Sequence, residues 1–165
     1  MKSESDNVTL RPWTAADQDF IFQLYASTRI QEFAPLGWAP AQLETFLRIQ
    51  FHSQQRWYEM AYAAAGHQII CLDGHSIGRI MVLREPAKFL LVDIALLPEH
   101  RGQGIGARLL SDLIAESEHA GIPIGLQVLK TNAAIHLYER SGFVRTGEDE
   151  MYYQMERKPE QQEQK

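Results

Sequence analysis

A glycine-rich segment near the middle of the chain carries the residue types with the clearest chemical potential. Three glycines, Gly102, Gly104 and Gly106, fall within five residues, and Arg101 and Arg108 flank them. Glycine has no Cβ, so the backbone can approach a ligand closely. The unpaired N–H groups at the start of a helix bind anions. The segment therefore predicts a phosphate-binding loop.

The apolar spacing around this loop predicts a strand before it and a helix after it. Residues 89–97 are almost entirely apolar, as expected of a buried strand. Gly121 and Pro123 are typical of a helix end. The helix between the loop and this end has one apolar face, formed by Ile105, Leu109, Leu110, Leu113 and Ile114.

The remaining patterns predict one α/β (mixed α+β) domain over residues 1–165, with 1–7 and 156–165 as loose tails. The predicted element order is β-α-α-β-β-β-α-β-α-β-β, a sheet with helices on both faces. The Asp73-Gly74 pair is typical of a two-residue hairpin. We expect strands at 8–13, 60–65, 68–72, 76–83, 89–97, 122–129, from 143 and at 151–155. We expect helices that begin at Thr14, Pro40, Ile105 and Asn132. The segment 30–38 is predicted to be an apolar loop.

Composition excludes several classes of protein. The 165 residues are 45% hydrophobic and 22% charged, which is usual for a globular domain. No apolar run is long enough to cross a bilayer, and the N-terminus lacks the apolar segment of a signal peptide. The single cysteine, Cys71, excludes an internal disulfide and favours a cytoplasmic location. A net charge of −5 argues against general nucleic-acid binding.

Two motifs give the chain a resemblance to the GCN5-related N-acetyltransferase (GNAT) family. Arg101-x-x-Gly104-x-Gly106 is similar to the acyl-CoA pyrophosphate signature of the family. Residues 132–143 resemble its second motif, in which Tyr138 precedes a Gly-Phe pair. The strand before the loop resembles the fourth strand of the family. Either motif alone is a weak signal, but both together in the family's order are specific.

The resemblance implies a mixed, mostly antiparallel central sheet, acetyl-CoA as the co-substrate and no metal. It also implies a bulge in the strand before the loop, with the Leu96 N–H on the acetyl carbonyl as an oxyanion donor. The implied CoA contacts are Ala95, Leu96, Leu97, Arg101, Gly102, Gln103, Gly104, Ile105, Gly106, Ala107, Asn132 and Tyr138.

Tyr138 has two interpretations. Its spacing from Ile135 fits a core position on one helix face, whereas the family pattern implies that its hydroxyl faces the CoA sulfur. Proton transfer from a phenol with a pKa of about 10 to a thiolate with a pKa of about 8.5 is uphill by about 2 kcal/mol. A hydrogen bond to the leaving thiolate would therefore suffice. Asn132 is either only the N-cap of the same helix or also a partner of the CoA arm.

The general base is less well defined. GNAT enzymes that resemble ribosomal-protein acetyltransferases have a glutamate where this chain has Gln127, and glutamine cannot accept the proton of an amine. Asp93 is the next candidate, because burial in an apolar strand raises the pKa of a carboxyl group. The alternatives are a solvated or arginine-paired carboxylate and a water chain. A weak base favours an α-amine, with a pKa of about 7.8, over a lysine, with a pKa of about 10.4.

The loop between the first two helices is the candidate binding site for the acceptor. Phe33, Leu36 and Trp38 would line this pocket, and Glu32 would pair with a cationic amine. An equally good interpretation is an aromatic cluster that caps the helix pair. The acceptor class remains open between a small polyamine, an aminoglycoside, an amino acid and a peptide terminus. The C-terminal strands are a candidate homodimer interface.

The sequence thus predicts an acetyl-CoA-dependent N-acetyltransferase that acts on a primary amine by direct attack in a ternary complex. No side-chain nucleophile is evident. The alternatives are a non-catalytic acyl-CoA-binding or regulatory module and an interaction protein that uses the apolar surface at residues 33–38. A dinucleotide-binding loop is disfavoured because the next strand has no carboxylate to hold a ribose. His67, Cys71 and His75 are spaced too widely along a strand for a tetrahedral metal site.

Overall fold

The computed structural model describes residues 7–160, and within this range the elements follow the predicted order. The fold is a mixed α/β fold. Its strands are β1 (Val8–Pro12), β2 (Gly66–Leu72), β3 (His75–Arg84), β4 (Phe89–Leu96), β5 (Ile124–Leu129), β6 (Val144–Glu148) and β7 (Tyr152–Arg157). Its helices are α1 (Gln18–Phe33), α2 (Pro40–Ala61), α3 (Ile105–Ala120) and α4 (Ala134–Arg140). Short 3-10 turns occur at Ala15–Asp17, Ala34–Leu36 and Pro98–His100.

The strands form one sheet in the order β1-β2-β3-β4-β5-β7-β6. Neighbouring strands are antiparallel except β4 and β5, which are parallel. The parallel pairing joins only Phe89 to Ile124, Leu90 to Gly125 and Leu91 to Leu126. Beyond Leu91, β4 continues without a partner on this side. A gap therefore opens between β4 and β5 in the middle of the sheet.

Local sequence accounts for the turn between β2 and β3. Asp73 and Gly74 both have positive φ angles, 50° and 80°. This backbone conformation is that of a two-residue hairpin whose twist matches the flanking strands. The predicted hairpin is confirmed.

The two faces of the sheet carry separate apolar clusters. Helices α3 and α4 cover the larger one, and α1 and α2 cover the smaller one. The larger cluster includes Ile80, Val82, Phe89, Leu91, Ile105, Leu109, Leu110, Leu113, Leu126, Ile135, Tyr138 and Phe143. The smaller cluster contains Ile21, Phe22, Tyr25, Leu47, Phe51, Ile69 and Cys71.

A bulge at Val92 changes the direction of the side chains along β4. Val92 has no partner on β3, and one extra residue reverses the alternation of a strand. The residues of β4 that contact the α3/α4 cluster are therefore Phe89, Leu91, Ile94 and Leu96. Asp93 consequently faces α2 instead of that cluster. The resemblance implied a bulge beside Leu96, and the structure has it four residues earlier.

The predicted C-terminal tail begins too early, because β7 runs to Arg157, and the tail residues 1–6 and 161–165 lie outside the described residues. Two further predicted segments are wrong. The expected strand at 60–65 does not form, because α2 runs to Ala61 and residues 62–65 form a turn. The expected loop at 30–38 is shorter, because α1 runs to Phe33. In both places the apolar residues continue the preceding helix. The packing of that helix outweighs the local sequence pattern that predicted a strand or a loop.

Candidate active site

The start of α3 has the geometry of an anion site. Gly102 and Gly104 have φ angles of 74° and 82°, a conformation that residues with a Cβ rarely adopt. These two turns redirect the chain into α3, where the Arg108 N–H donates to the Gly104 carbonyl. The N–H groups of residues 105–107 precede the first helical hydrogen bond, so they project from the end of the helix. A helix N-terminus of this kind favours a bound phosphate.

Gly106 adds a second observation at the same place. Its φ angle is not positive, and a Cβ added to it would have no heavy atom within 4 Å. The protein itself therefore gives no steric reason for a glycine here, although glycine in a helix costs about 1 kcal/mol relative to alanine. The open space in front of Gly106 fits the close approach of a ligand.

The end of β4 presents its backbone to the gap beside β5. The Leu97 N–H donates to the Ile77 carbonyl on β3 at 2.8 Å. Because successive peptide groups of a strand point in opposite directions, the Leu96 N–H and C=O face the gap. Nε of Arg101 donates to the Leu96 carbonyl at 3.0 Å. Arg101 thus connects the glycine loop to the strand end, and the Leu96 N–H points into the gap.

Tyr138 contributes its ring to the α3/α4 cluster. The side chain is 7% exposed and packs against Phe143 with 5.7 Å between ring centroids. Gly142, with a φ of 97°, makes the turn that returns Phe143 to this position. Burial, and secondly the charge of Asp93, raise the pKa of Tyr138 to about 12. The core interpretation is correct for the ring, and the phenol keeps its proton at neutral pH.

Asn132 caps the start of α4. Its Oδ1 accepts the Ala134 N–H at 2.9 Å, and its carbonyl accepts the Ile135 N–H at 3.2 Å. The predicted capping role is thus present, and the side chain lies at an exposed position.

Asp93 lies in a polar network on the α2 side of the sheet. Nε of Arg79 donates to Oδ2 of Asp93 at 2.8 Å, and Nη2 of Arg79 donates to Oε1 of Gln54 at 3.1 Å. The Arg79 guanidinium also lies over the Tyr58 ring at 5.5 Å. The arginine-paired alternative is thus the arrangement observed for Asp93.

Sequence reasoning missed Gln54, Tyr58 and Arg79. The first two lie four residues apart and continue the inward face of α2 beyond Leu47 and Phe51, which is a detectable helical signal. Arg79 stands alone in an apolar strand, a position that usually requires a buried partner. That partner comes from another strand, so the sequence does not name it.

A second pair of polar side chains, partly buried, lies next to this network. The rings of Trp13 and His67 stack at 5.4 Å with an angle of 7° between their planes. Burial, followed by the positive charge of Arg79, lowers the pKa of His67 to about 4. His67 is therefore neutral at physiological pH. Within residues 7–160, three buried nitrogen atoms have no hydrogen-bond partner: Nε1 of Trp13, Nε2 of His67 and Nη1 of Arg79.

The residues predicted to bind the acceptor are divided between two elements. Glu32 and Phe33 belong to the last turn of α1, not to a loop. Phe33 and Trp38 stack at 6.2 Å, and Phe46 packs edge-on against both, at 5.2 and 5.1 Å. This is the aromatic cluster of the alternative interpretation. Leu36 is 55% exposed.

Gln127 lies on β5 opposite Gln154 of β7 and is exposed. Its neighbours Leu126 and Val128 belong to the α3/α4 cluster, so Gln127 points to the same side of the sheet as Asp93. Over residues 7–160, no three His, Cys, Asp or Glu side chains are grouped closely enough to hold a metal ion. No helix in this range is both long and apolar enough to cross a membrane.

Comparison with known proteins supports the same architecture. One curated relative is the ribosomal protein bS18-alanine N-acetyltransferase of Haemophilus influenzae, 38% identical over 64 residues. That match covers 38% of this chain and 44% of the relative, less than half of its length.

Two solved structures resemble nearly the whole chain. PaiA N-acetyltransferase of Thermoplasma acidophilum, in complex with coenzyme A, is 19% identical, with a TM-score of 0.69 over 92% of this chain and 98% of that one. The ribosomal-protein-S18-alanine N-acetyltransferase of Escherichia coli is 21% identical, with a TM-score of 0.63 over 94% and 97%. Residues 63–145 match the family described as "Acetyltransferase (GNAT) domain". The chain belongs to the GNAT acetyltransferase family.

Proposed function

We propose that this protein transfers the acetyl group of acetyl-CoA to a primary amine by direct attack in a ternary complex. The single observation that carries the proposal is the hydrogen bond from Arg101 to the Leu96 carbonyl, which joins the glycine loop before α3 to the end of β4 that has no partner on β5. This arrangement offers an anion site and, next to it, a channel lined by unpaired strand backbone. The coenzyme A complex of a structural neighbour supports the assignment of that channel.

The residues present fit coenzyme A. The glycine loop, residues 101–107, would hold the pyrophosphate through backbone N–H groups and Arg101, with open space in front of Gly106. Ala95, Leu96 and Leu97 would contact the pantetheine arm along the strand edge. Asn132 would add a side-chain contact from the start of α4. Bound there, acetyl-CoA supplies the thioester carbonyl and the thiolate leaving group.

Two groups of the chain support the transfer itself. As the amine nitrogen bonds to the thioester carbon and the C–S bond breaks, the Leu96 N–H stabilises the negative charge on the carbonyl oxygen. One such fixed donor is typically worth about 3 kcal/mol. The Tyr138 hydroxyl donates a hydrogen bond to the departing sulfur. Its raised pKa keeps this hydrogen in place across the physiological range.

The amine must lose a proton during the attack. Asp93 is the candidate acceptor of that proton, and a water chain is the alternative. Gln127 has no basic atom for this purpose. Either route works best with an amine of low pKa, such as the α-amine of an amino acid or peptide, because such an amine loses its proton more readily. The activity of a curated relative towards the alanine of a ribosomal protein is consistent with this acceptor class.

The acceptor itself is a small molecule or a peptide with a primary amine. Leu36 and Glu32 are exposed near the ends of α1 and α2, where they remain available to an acceptor. The stacked rings of Phe33 and Trp38 would form a wall of the acceptor site.

Two measurements test the proposal. Titration calorimetry with coenzyme A should show saturable binding to one site. Release of free thiol from acetyl-CoA should then depend on added amine, with intersecting kinetic patterns when both substrates vary. A ping-pong pattern would contradict direct attack. Binding without thiol release for any amine would instead indicate the non-catalytic acyl-CoA-binding module.

A further inference from the structure

In the polar network around Asp93, both contacts from Arg79 go to the same oxygen of the carboxylate. Arg79 is 3% exposed, and it places both Nε and Nη2 on the same carboxylate oxygen, Oδ2 of Asp93, at 2.8 and 2.7 Å. Gln54 of α2 accepts a hydrogen bond from the Nη2 atom. A buried guanidinium without such partners would be strongly destabilising. The network therefore fixes the orientation of the Asp93 side chain.

The other oxygen of the carboxylate is left available. No described residue donates a hydrogen bond to Oδ1, and the Asp93 side chain is 25% exposed. A carboxylate can accept hydrogen bonds on both of its oxygens. One oxygen thus holds the side chain in place, and no described residue hydrogen-bonds to the second.

The position of this oxygen is set by the bulge in β4. Because Val92 is the extra residue, Asp93 faces α2 and not the apolar α3/α4 cluster. The Asp93 charge is close enough to the two tyrosines Tyr58 and Tyr138 to raise the pKa of both, in addition to the larger effect of burial. One of these tyrosines comes from α2 and the other from α4, so Asp93 lies where the acceptor side of the sheet meets the gap.

We propose that the acceptor amine binds as an ammonium group on Oδ1 of Asp93, and that Arg79, braced by Gln54, is the positioning residue that aims this oxygen into the cleft. This inference rests on the proposed acetyl transfer. It places the reacting amine of the acceptor beside Asp93. It assigns the amine to the α2 face of the sheet, not to the residues 33–38 that the sequence indicated.

The charges of the network also narrow the acceptor class. The Asp93 carboxylate is opposed directly by the Arg79 guanidinium, and Arg29 and Glu32, both near Tyr25, carry opposite signs. His67 is neutral because its pKa is low, and the nearby Asp17 carboxylate is paired with Arg11. The described groups around the site therefore sum to about zero charge. A single amine fits this environment better than a polyamine or an aminoglycoside, which carry several positive charges.

The experiment compares four variants with the wild type: Arg79→Gln, Arg79→Lys, Asp93→Asn and the double variant Arg79→Gln/Asp93→Asn. The acceptor probes are alanine amide, an alanine-initiated tripeptide, spermidine and an aminoglycoside. The double variant replaces the ion pair by a neutral pair of similar size, so it should fold even if a single variant leaves a buried charge unpaired. Arg84→Gln is the matched control, because Arg84 lies five residues along the same strand and pairs with Glu116 on the surface.

We expect Asp93→Asn and Arg79→Gln to raise the KM for the single-amine probes by about 30-fold or more, the cost of truncating a buried charge pair. The KM for acetyl-CoA and the affinity for coenzyme A should remain unchanged. The double variant should be no worse than Asp93→Asn alone, because Arg79 acts through Asp93. Arg79→Lys should recover part of the loss, since it keeps the charge but not the two-pronged geometry.

Several outcomes would overturn the inference. The first is an unchanged KM for the amine in Asp93→Asn. The second is an increase in KM in the double variant equal to the combined effects of the two single variants. The third is turnover of spermidine or the aminoglycoside equal to that of the single amines. Wild-type protein that acetylates spermidine or the aminoglycoside but neither single-amine probe would also overturn it, whereas coenzyme A binding without turnover of any probe would contradict the proposed function. Failure of the wild type to bind coenzyme A at all would instead contradict the proposed function.

Discussion

Gly78 of β3 lies directly against the carbonyl oxygen of Ala95 on β4, so closely that a Cβ at this position would overlap that oxygen. We expect Gly78→Ala to displace the end of β4, lower the free energy of unfolding by about 1–3 kcal/mol and weaken coenzyme A binding, because Leu96 moves with the strand. Urea unfolding and titration calorimetry measure the two effects.

Gly125→Ala is the matched control for this prediction. A Cβ on Gly125 would meet only the end of the Lys88 side chain, which is flexible and half-exposed. We expect a change below about 1 kcal/mol in unfolding free energy and unchanged coenzyme A affinity. Equal stability of the two variants would show that the contact between Gly78 and Ala95 does not fix β4.

Gly106→Leu should separate ligand binding from folding. The new side chain would extend into open space, so it removes no contact of the protein, and leucine is a better helix former than glycine by roughly 0.8 kcal/mol. We expect an unchanged or higher melting temperature together with a loss of coenzyme A affinity of about tenfold or more, because the side chain occupies the space of the pyrophosphate. Ala115→Leu, on the exposed face of α3, should leave the affinity unchanged.

Tyr138→Phe should lower kcat by about tenfold or more while the KM for acetyl-CoA changes little, because the hydroxyl acts on the departing sulfur and not on the bound ground state. With the pKa of Tyr138 raised to about 12, its ionisation should produce no fall in kcat between about pH 7 and pH 9. Stopped assays of thiol release over this range measure both quantities. Tyr153→Phe is the control. Tyr153 lies on β7, where its ring contacts the side chains of Arg145 and Lys130, and it has no proposed role in the transfer. Unchanged turnover in Tyr138→Phe would remove this residue from the mechanism.

His67 should make the fold sensitive to mild acid. Its pKa is lowered from 6.5 to about 4 by burial and by Arg79, so the neutral form is favoured in the folded state. The stabilising contribution is fully present above about pH 6.5 and is lost as the pH falls towards 4. We expect a loss of about 1–2 kcal/mol over this window, because the partly exposed ring experiences only part of the desolvation.

His67→Phe should reduce this acid sensitivity. Phenylalanine keeps a flat ring against Trp13 but does not titrate, so its unfolding free energy should vary less between pH 6.5 and pH 4. Urea unfolding at a series of pH values gives the slope for each protein. The Arg11–Asp17 pair lowers the pKa of Asp17 from 3.8, so its own contribution is lost only below this window. If the unfolding free energies of wild type and variant change equally with pH, His67 is not the cause of the acid sensitivity.

Local patterns were sufficient for most of the elements. The hairpin at Asp73 and Gly74, the turns at Gly104 and Gly121 and the apolar face of α3 each depend on neighbouring residues, and all were predicted. The strand at 60–65 and the loop at 30–38 were wrong because packing extended α2 and α1 through those segments. In both places the length of a helix depended on the sheet against which it lies.

The sequence by itself determined the glycine turns at the start of α3, the position of Tyr138 in the second motif and the membership of the chain in its family. These features depend on glycine conformations and on spacings within single segments. Only the tertiary structure showed that Asp93 is paired with Arg79 and braced by Gln54. Those three side chains come from β4, β3 and α2, and one unpaired residue, Val92, decides which face of the sheet Asp93 occupies. A bulge depends on the register between two strands, and register is a property of the folded sheet.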